Sequence, residues 1–253
     1  TLLGLGAFPA SHRLCLGMMG MHGEAWVNNA IQEADLLIAL GMRFDDRVTG
    51  NLRTYAPHAR KFQLDINASE INKNVAVDDG IVGDLRDTIR DLLDIVDDTD
   101  RAPWLARITM MKGDTAVRDI QQLPDGGHLY AAHVIHDIWR ATEGKALVVT
   151  DVGQHQMWEA QYYHHEEPRS LITSGGLGTM GFGLPAAIGA KLARPDAEVW
   201  AIVGDGGFQM TQAELTTAAQ EGVKINVAII NNGYLGMVRQ WQEFFYERRY
   251  AAT

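Results

Sequence analysis

Two apolar runs near the end of the chain each stop at a loop built for ligand chemistry: the first at Gly204-Asp205-Gly206, the second at Asn231-Asn232. Val199 to Val203 reads as a strand, Thr211 to Gly222 as a helix, and Ile225 to Ile230 as a second strand, which makes one β-α-β unit. Thr211 and Glu214 have capping-box spacing, and Gly222 is a natural helix stop. Right-handed crossover makes the two strands parallel, so both loops open at the same carboxyl edge, where open α/β sheets bind ligands. Asp205 and Asn232 can therefore share one ion. A carboxylate, an amide oxygen and a backbone carbonyl form a hard-oxygen set, and Mg²⁺ in such sets completes its octahedron with phosphate oxygens and water. A diphosphate cofactor is implied. Taken singly, GDG is a tight turn and NN a loop, and it is their order within one β-α-β unit that makes them a site.

Composition narrows the class. The chain has 253 residues, 46% of them hydrophobic and 21% charged, enough to build one large or two ordinary cores. A formal net charge of −10 with no basic cluster argues against nonspecific nucleic-acid binding. The single Cys15 rules out an internal disulfide and fits a reducing compartment. No apolar run approaches the roughly 18 residues of a membrane helix, and no basic segment of a signal peptide opens the chain. Cytoplasmic localisation is expected. The start at Thr1, without an initiator Met, reads as the interior of a longer chain.

Helix and strand signals alternate along both halves, as in α/β domains with parallel sheets. In the first half Glu24 to Ala34 is helical, Leu36 to Leu40 a buried strand, Lys61 to Asp65 another, and Leu85 to Val96 an amphipathic helix. The charged stretch from Asp97, a helix containing Trp104 and the turn Pro124-Asp125-Gly126-Gly127 read as a connector. Beyond it come a helix from His128 to Thr142, strands at Ala146 to Thr150 and Ser170 to Thr173, and a helix from Leu184 to Leu192. The expected organisation is a first domain over 1–97, a linker over 98–127 and a second domain over 128–253.

Three further segments carry chemistry. Gly153-Gln154-His155-Gln156-Met157-Trp158 follows directly on a strand, and such strand-end loops can hold phosphate. Gly176, Gly178 and Gly181 satisfy the dinucleotide fingerprint G-x-G-x-x-G between a strand and a helix beginning near Pro185, but the next strand ends in GDG rather than in the acid that grips a ribose. Arg43-Phe44-Asp45-Asp46-Arg47 reads on its own as a surface ion-pair cluster.

Together these segments resemble the acetohydroxyacid synthase catalytic subunits of the thiamine diphosphate enzymes. The match rests on GDGGFQMTQAELTTAAQEGVKINVAIINN, GQHQMW, SGGLGTMG, NGYLGMVRQWQ and GMRFDDRVTG, and it runs through essentially the whole chain. It implies two doubly wound parallel-sheet domains, a partial FAD-binding middle domain and a partial thiamine diphosphate domain. It also implies a carboligase that decarboxylates pyruvate and joins the remaining two carbons to pyruvate or 2-ketobutyrate, toward the branched-chain amino acids.

By that resemblance Asp205, Asn232 and the carbonyl of Tyr234 hold Mg²⁺, while Gly153, Gln154 and His155 face the diphosphate. Gly178, Gly204, Gly206 and Gly207 admit the cofactor, Met180 wedges its two rings into a V, and Met237 and Val238 line the channel. Trp241 favours 2-ketobutyrate and Arg47 pairs with a ketoacid carboxylate. A mainly structural FAD would lie along His22 and Gly41 to Phe44, Arg43 included, with Asp65 and Asp84 toward its ribose and adenine. Homodimers or tetramers and a small regulatory subunit are implied as partners. The family's activating glutamate sits in a domain expected to precede Thr1, and its closing lid is expected to follow Thr253. The chain by itself is therefore expected to be inactive, and the alternative readings are another thiamine diphosphate-dependent 2-ketoacid decarboxylase or oxidase and a noncatalytic cofactor-binding fragment.

Overall fold

The computed structural model describes residues 1–97, 99–115 and 127–253. They form two compact units, one from Met19 to Thr115 and the other from Leu2–Met18 together with the residues after 126. Within the expected connector, Asp98 and residues 116–126, which include Pro124, Asp125 and Gly126, lie outside the described residues.

In the first unit, β1 (Leu36–Leu40), β2 (Arg60–Asp65) and β3 (Asp79–Val82) form a parallel sheet in the order β1-β2-β3. Helices α1 (Ala25–Glu33), α2 (Asp46–Thr49), α3 (Leu85–Leu93) and α4 (Ala102–Thr115) connect or flank the strands. The α4 helix, expected in the connector, packs on α1, where Arg107 makes two hydrogen bonds to Glu33 and Lys112 lies over the Trp26 ring. The reading of Leu36 to Leu40 as a fully buried strand needs correction. Ala39 is buried with Phe44, Tyr55 and Val75, whereas Leu36, Ile38 and Leu40 remain about half exposed. Alternating side chains face opposite sides of a sheet, and among the described residues one side goes uncovered.

The second unit is a four-stranded parallel sheet in the order β5-β4-β6-β7, built from β4 (Leu147–Thr150), β5 (Leu171–Thr173), β6 (Val199–Gly204) and β7 (Asn226–Ile230). Its helices are α5 (Ala131–Ala141), α6 (Gln154–Tyr162), α7 (Gly183–Ala193), α8 (Asp205–Thr211), α9 (Glu214–Gln220) and α10 (Gly236–Phe245). Both faces of β4 and β6 are buried, as parallel strands require. Leu147, Val149, Val199, Ala201 and Val203 pack with Ala187 and Ala190 of α7, while Val148 and Ile202 pack with Ile135 and Ile138 of α5.

Two local expectations change. GQHQMW is not a loop, because α6 starts at Gln154. Thr211 does not cap a helix either: α8 begins at Asp205 directly after β6, and the Thr211 hydroxyl donates to the Gly181 carbonyl at 3.1 Å. A tertiary partner thus takes the side chain that the capping-box spacing had assigned to its own backbone.

Candidate functional site

The chain leaves β4 for β5 on one side and returns to β6 on the other, so β4 and β6 are adjacent strands whose connections diverge. Such a switch point opens a crevice at the carboxyl ends. A pocket of about 230 Å³ occupies it.

Four segments meet there. From β4 come Gly153, Gln154 and His155, the last two opening α6. From β6 come Gly204, Asp205, Gly206 and Gly207, with Asp205 in the first turn of α8. From β7 come Asn232 and Tyr234, with Met237 and Val238 following on α10. Gly178 and Met180 reach the pocket from the glycine loop after β5. A Cβ on Gly206 would stand 2.7 Å from Leu235 Cδ2, so the glycine lets the Asp205 turn and the Leu235 side chain lie close together.

Hydrogen bonds tie these segments together. Asn232 Oδ1 accepts from the Tyr234 backbone at 3.0 Å, its Nδ2 donates to Gln154 Oε1 at 3.3 Å, and Gln154 Nε2 donates to Gln240 Oε1 at 3.0 Å. His155 is buried, and that burial drives its imidazole down to about 4 against the opposing pull of Asp151 and Asp205. It is neutral at neutral pH. Its Nε2 is buried without a hydrogen-bond partner, a polar atom of the kind a ligand completes.

Among the described residues no three His, Cys, Asp or Glu side chains gather into a metal cluster. Asp205 is the one carboxylate lining this pocket, with the Asn232 amide and Tyr234 beside it. That set suits a cation which takes its other ligands from phosphate and water. The glycine loop does not act as a dinucleotide turn. It follows β5 at the end of the sheet order, and the amides of Gly181 and Gly183 donate to Asp151 rather than standing open to a phosphate.

Trp241 lies further along α10, 38% exposed and tilted against the Phe245 ring at 4.9 Å, outside the pocket lining. Sequence reasoning missed Val152, Trp158, Ile230, Leu235 and Gly236 in the lining, and missed the fully buried Asp151 altogether. Asp151 had a signal in the sequence, an acid directly after the largely apolar run Ala146 to Thr150.

In the first unit, Gly41 follows β1, Asp65 ends β2 and Asp84 follows β3, so the three stand at one carboxyl edge. Asp65 accepts from the Asn67 amide, and Asp84 caps α3 through the Arg86 amide. His22 is buried, and Arg43 pairs with Asp45 at 3.3 Å. Arg47 pairs with Asp46 on α2, and both are largely exposed. Phe44, expected beside a flavin, is 1% exposed and packs edge-on against Tyr55 in the core.

Residues 1–92 match the family described as thiamine pyrophosphate enzyme, central domain, and residues 151–253 match its C-terminal TPP binding domain. The chain is 50% identical to an acetolactate synthase large subunit of Mycobacterium tuberculosis over 100% of its own length and 42% of the relative's. It is 50% identical to the Lactococcus lactis large subunit over 98% of this chain and 43% of that one, and 44% identical to the Escherichia coli isozyme 3 large subunit over 100% and 45%. It thus spans less than half the length of these relatives. Matching domains at both ends and the pocket between β4, β6 and β7 agree, and the chain belongs to the thiamine pyrophosphate enzymes.

Proposed function

We propose that this chain is the FAD- and thiamine diphosphate-binding part of an acetolactate synthase catalytic subunit. The enzyme would condense pyruvate with a second 2-ketoacid, pyruvate or 2-ketobutyrate, releasing CO₂ and yielding 2-acetolactate or 2-aceto-2-hydroxybutyrate. The observation that carries this reading is the meeting of Asp205, Asn232 and Tyr234 with Gly153-Gln154-His155 and Met180 in one switch-point pocket. The bound cofactor supplies the carbon nucleophile and electron sink for decarboxylation.

The protein's own groups bind and orient. Asp205, the Asn232 amide oxygen and the Tyr234 carbonyl would hold Mg²⁺. Gln154 and His155 of the first turn of α6 line the pocket, so the positive end of that helix would face the diphosphate. His155, held neutral by burial, offers a hydrogen-bonding atom rather than a charge. Gly178, Met180, Met237 and Val238 would bound the rings and the substrate channel. Arg47 would pair with a ketoacid carboxylate, and Trp241 would favour the larger second substrate. FAD would lie along the carboxyl edge of the first sheet, with His22, Gly41, Arg43, Asp65 and Asp84 beside it. Assembly into homodimers or tetramers, a small regulatory subunit, a place in branched-chain amino acid synthesis and a cytoplasmic location complete the reading. In its support, no helix among the described residues is long and apolar enough to cross a membrane.

Titration with thiamine diphosphate, with and without Mg²⁺, tests the site. Asp205→Ala is expected to cost about 3 kcal/mol of Mg²⁺-dependent affinity, on the order of 100-fold. Unchanged binding would remove Asp205 from the metal site. Product analysis on pyruvate with a full-length version of the subunit tests the reaction: acetolactate supports the carboligase, and acetaldehyde in its place refutes it.

A further inference from the structure

Asp151 is the first residue after β4, is fully buried, and does not line the pocket. A buried carboxylate is costly unless its oxygens are hydrogen-bonded, so its partners show what it organises. Oδ1 accepts from the amides of Val152 at 2.6 Å and Gly181 at 3.0 Å, and Oδ2 accepts from Gly183 at 3.0 Å. Gly181 has φ +83, and its carbonyl is held from the other side by Thr211 at 3.1 Å. The residue before it is Met180, which lines the pocket. A Cβ on Gly207 would stand 2.8 Å from Asp151 Oδ1, so this glycine leaves room for the carboxylate beside α8. One buried side chain therefore joins the end of β4 to the loop that presents Met180.

We infer that Asp151 is a positioning residue of the cofactor site. It fixes the backbone of the Met180 loop, and through it the wall that meets the cofactor's rings, while leaving the diphosphate end to the α6, α8 and β7 groups. This rests on the thiamine diphosphate reading above. Asp151→Asn keeps the volume but turns an NH₂ group toward one of the two glycine amides, which removes that bond and sets donor against donor.

The test compares two ligands on this chain by tryptophan fluorescence, because Trp158 lines the pocket. The probes are thiamine diphosphate with Mg²⁺ and inorganic diphosphate with Mg²⁺. In Asp151→Asn, thiamine diphosphate is expected to bind at least about tenfold more weakly, with inorganic diphosphate within about twofold of the unsubstituted protein. A purely structural role would weaken both ligands together, and that result, or equal affinity for thiamine diphosphate, overturns the inference.

Amide hydrogen exchange in the ligand-free protein is expected to quicken at Gly181 and Gly183 ahead of the β4 and β6 amides. This readout stands even if the unsubstituted chain binds no thiamine diphosphate, an outcome that would sink the cofactor reading instead. Should Asp151→Asn fail to fold, Thr211→Val releases the same loop from its other side. It is expected to show the same split between ligands at about threefold, and its absence overturns the inference equally.

Discussion

Tyr55 shows how one atom sets a pH limit. Its side chain is 4% exposed, its hydroxyl has no hydrogen-bond partner, and burial pushes the phenol up to about 12 from 10. The folded state therefore favours the protonated form. The corresponding stability is fully present below pH 10 and is lost as pH rises from 10 toward 12, in total about 2–3 kcal/mol. Tyr55→Phe removes both the titrating group and the unpartnered hydroxyl. Urea denaturation is expected to find this variant within about 1 kcal/mol of the parent at pH 8, and the more stable of the two at pH 11.5. Equal loss of stability in both proteins would show that another group limits alkaline stability. Residues of this sort are invisible in a sequence, because an isolated tyrosine carries no sign of whether its oxygen will find a partner. Asp205 and Asn232 are the opposite case, since strand ends and spacing placed them at one edge before any coordinates did.

The α6 helix carries the main surprise among the elements. Gln154 to Trp158 shows no apolar stripe, so a helix there had no periodic signal. The helix is anchored instead by a polar pair inside the core. Glu159 Oε1 meets His165 Nε2 at 2.6 Å with both side chains at most 1% exposed, and His165 Nδ1 meets the Ser170 hydroxyl at 2.8 Å. Removing one partner of such a pair strands the other. Glu159→Ala is expected to destabilise the second unit by about 3 kcal/mol, and the double replacement Glu159→Met with His165→Phe to recover most of that loss. Thermal melting of the single and double variants checks both values. A single variant as stable as the parent would show that the pair does not hold α6. The element that opens onto the pocket at Gln154 and His155 is thus fixed from its far end by residues no site motif names.

Across the whole molecule, the units divide the sequence otherwise than its composition does. Leu2–Met18 belongs with the second unit. The Ser11 amide and hydroxyl donate to the two Glu166 oxygens at 2.9 and 2.7 Å, and the Ala10 amide donates to the His165 carbonyl at 3.1 Å. Glu166→Ala is expected to speed amide exchange at Ala10 and Ser11 by about tenfold while α1 and α4 of the first unit keep their rates; unchanged exchange at Ala10 and Ser11 would show that Glu166 does not hold this segment. The sequence by itself determined the two α/β sheets, their parallel sense, and which strand ends carry polar and glycine residues, because hydrophobic period, turn residues and crossover handedness are local properties. It also carried the family, because the motifs keep their spacing along the chain. Only the tertiary structure decided that β4 and β6 are neighbours, which is the physical reason that Gln154 and His155, brought to one cofactor by the resemblance, meet Asp205 in one crevice. Strand order, the Asp151 clamp and the Glu159–His165 pair all depend on contacts between residues distant in sequence, and no local pattern encodes which of the possible partners will be met.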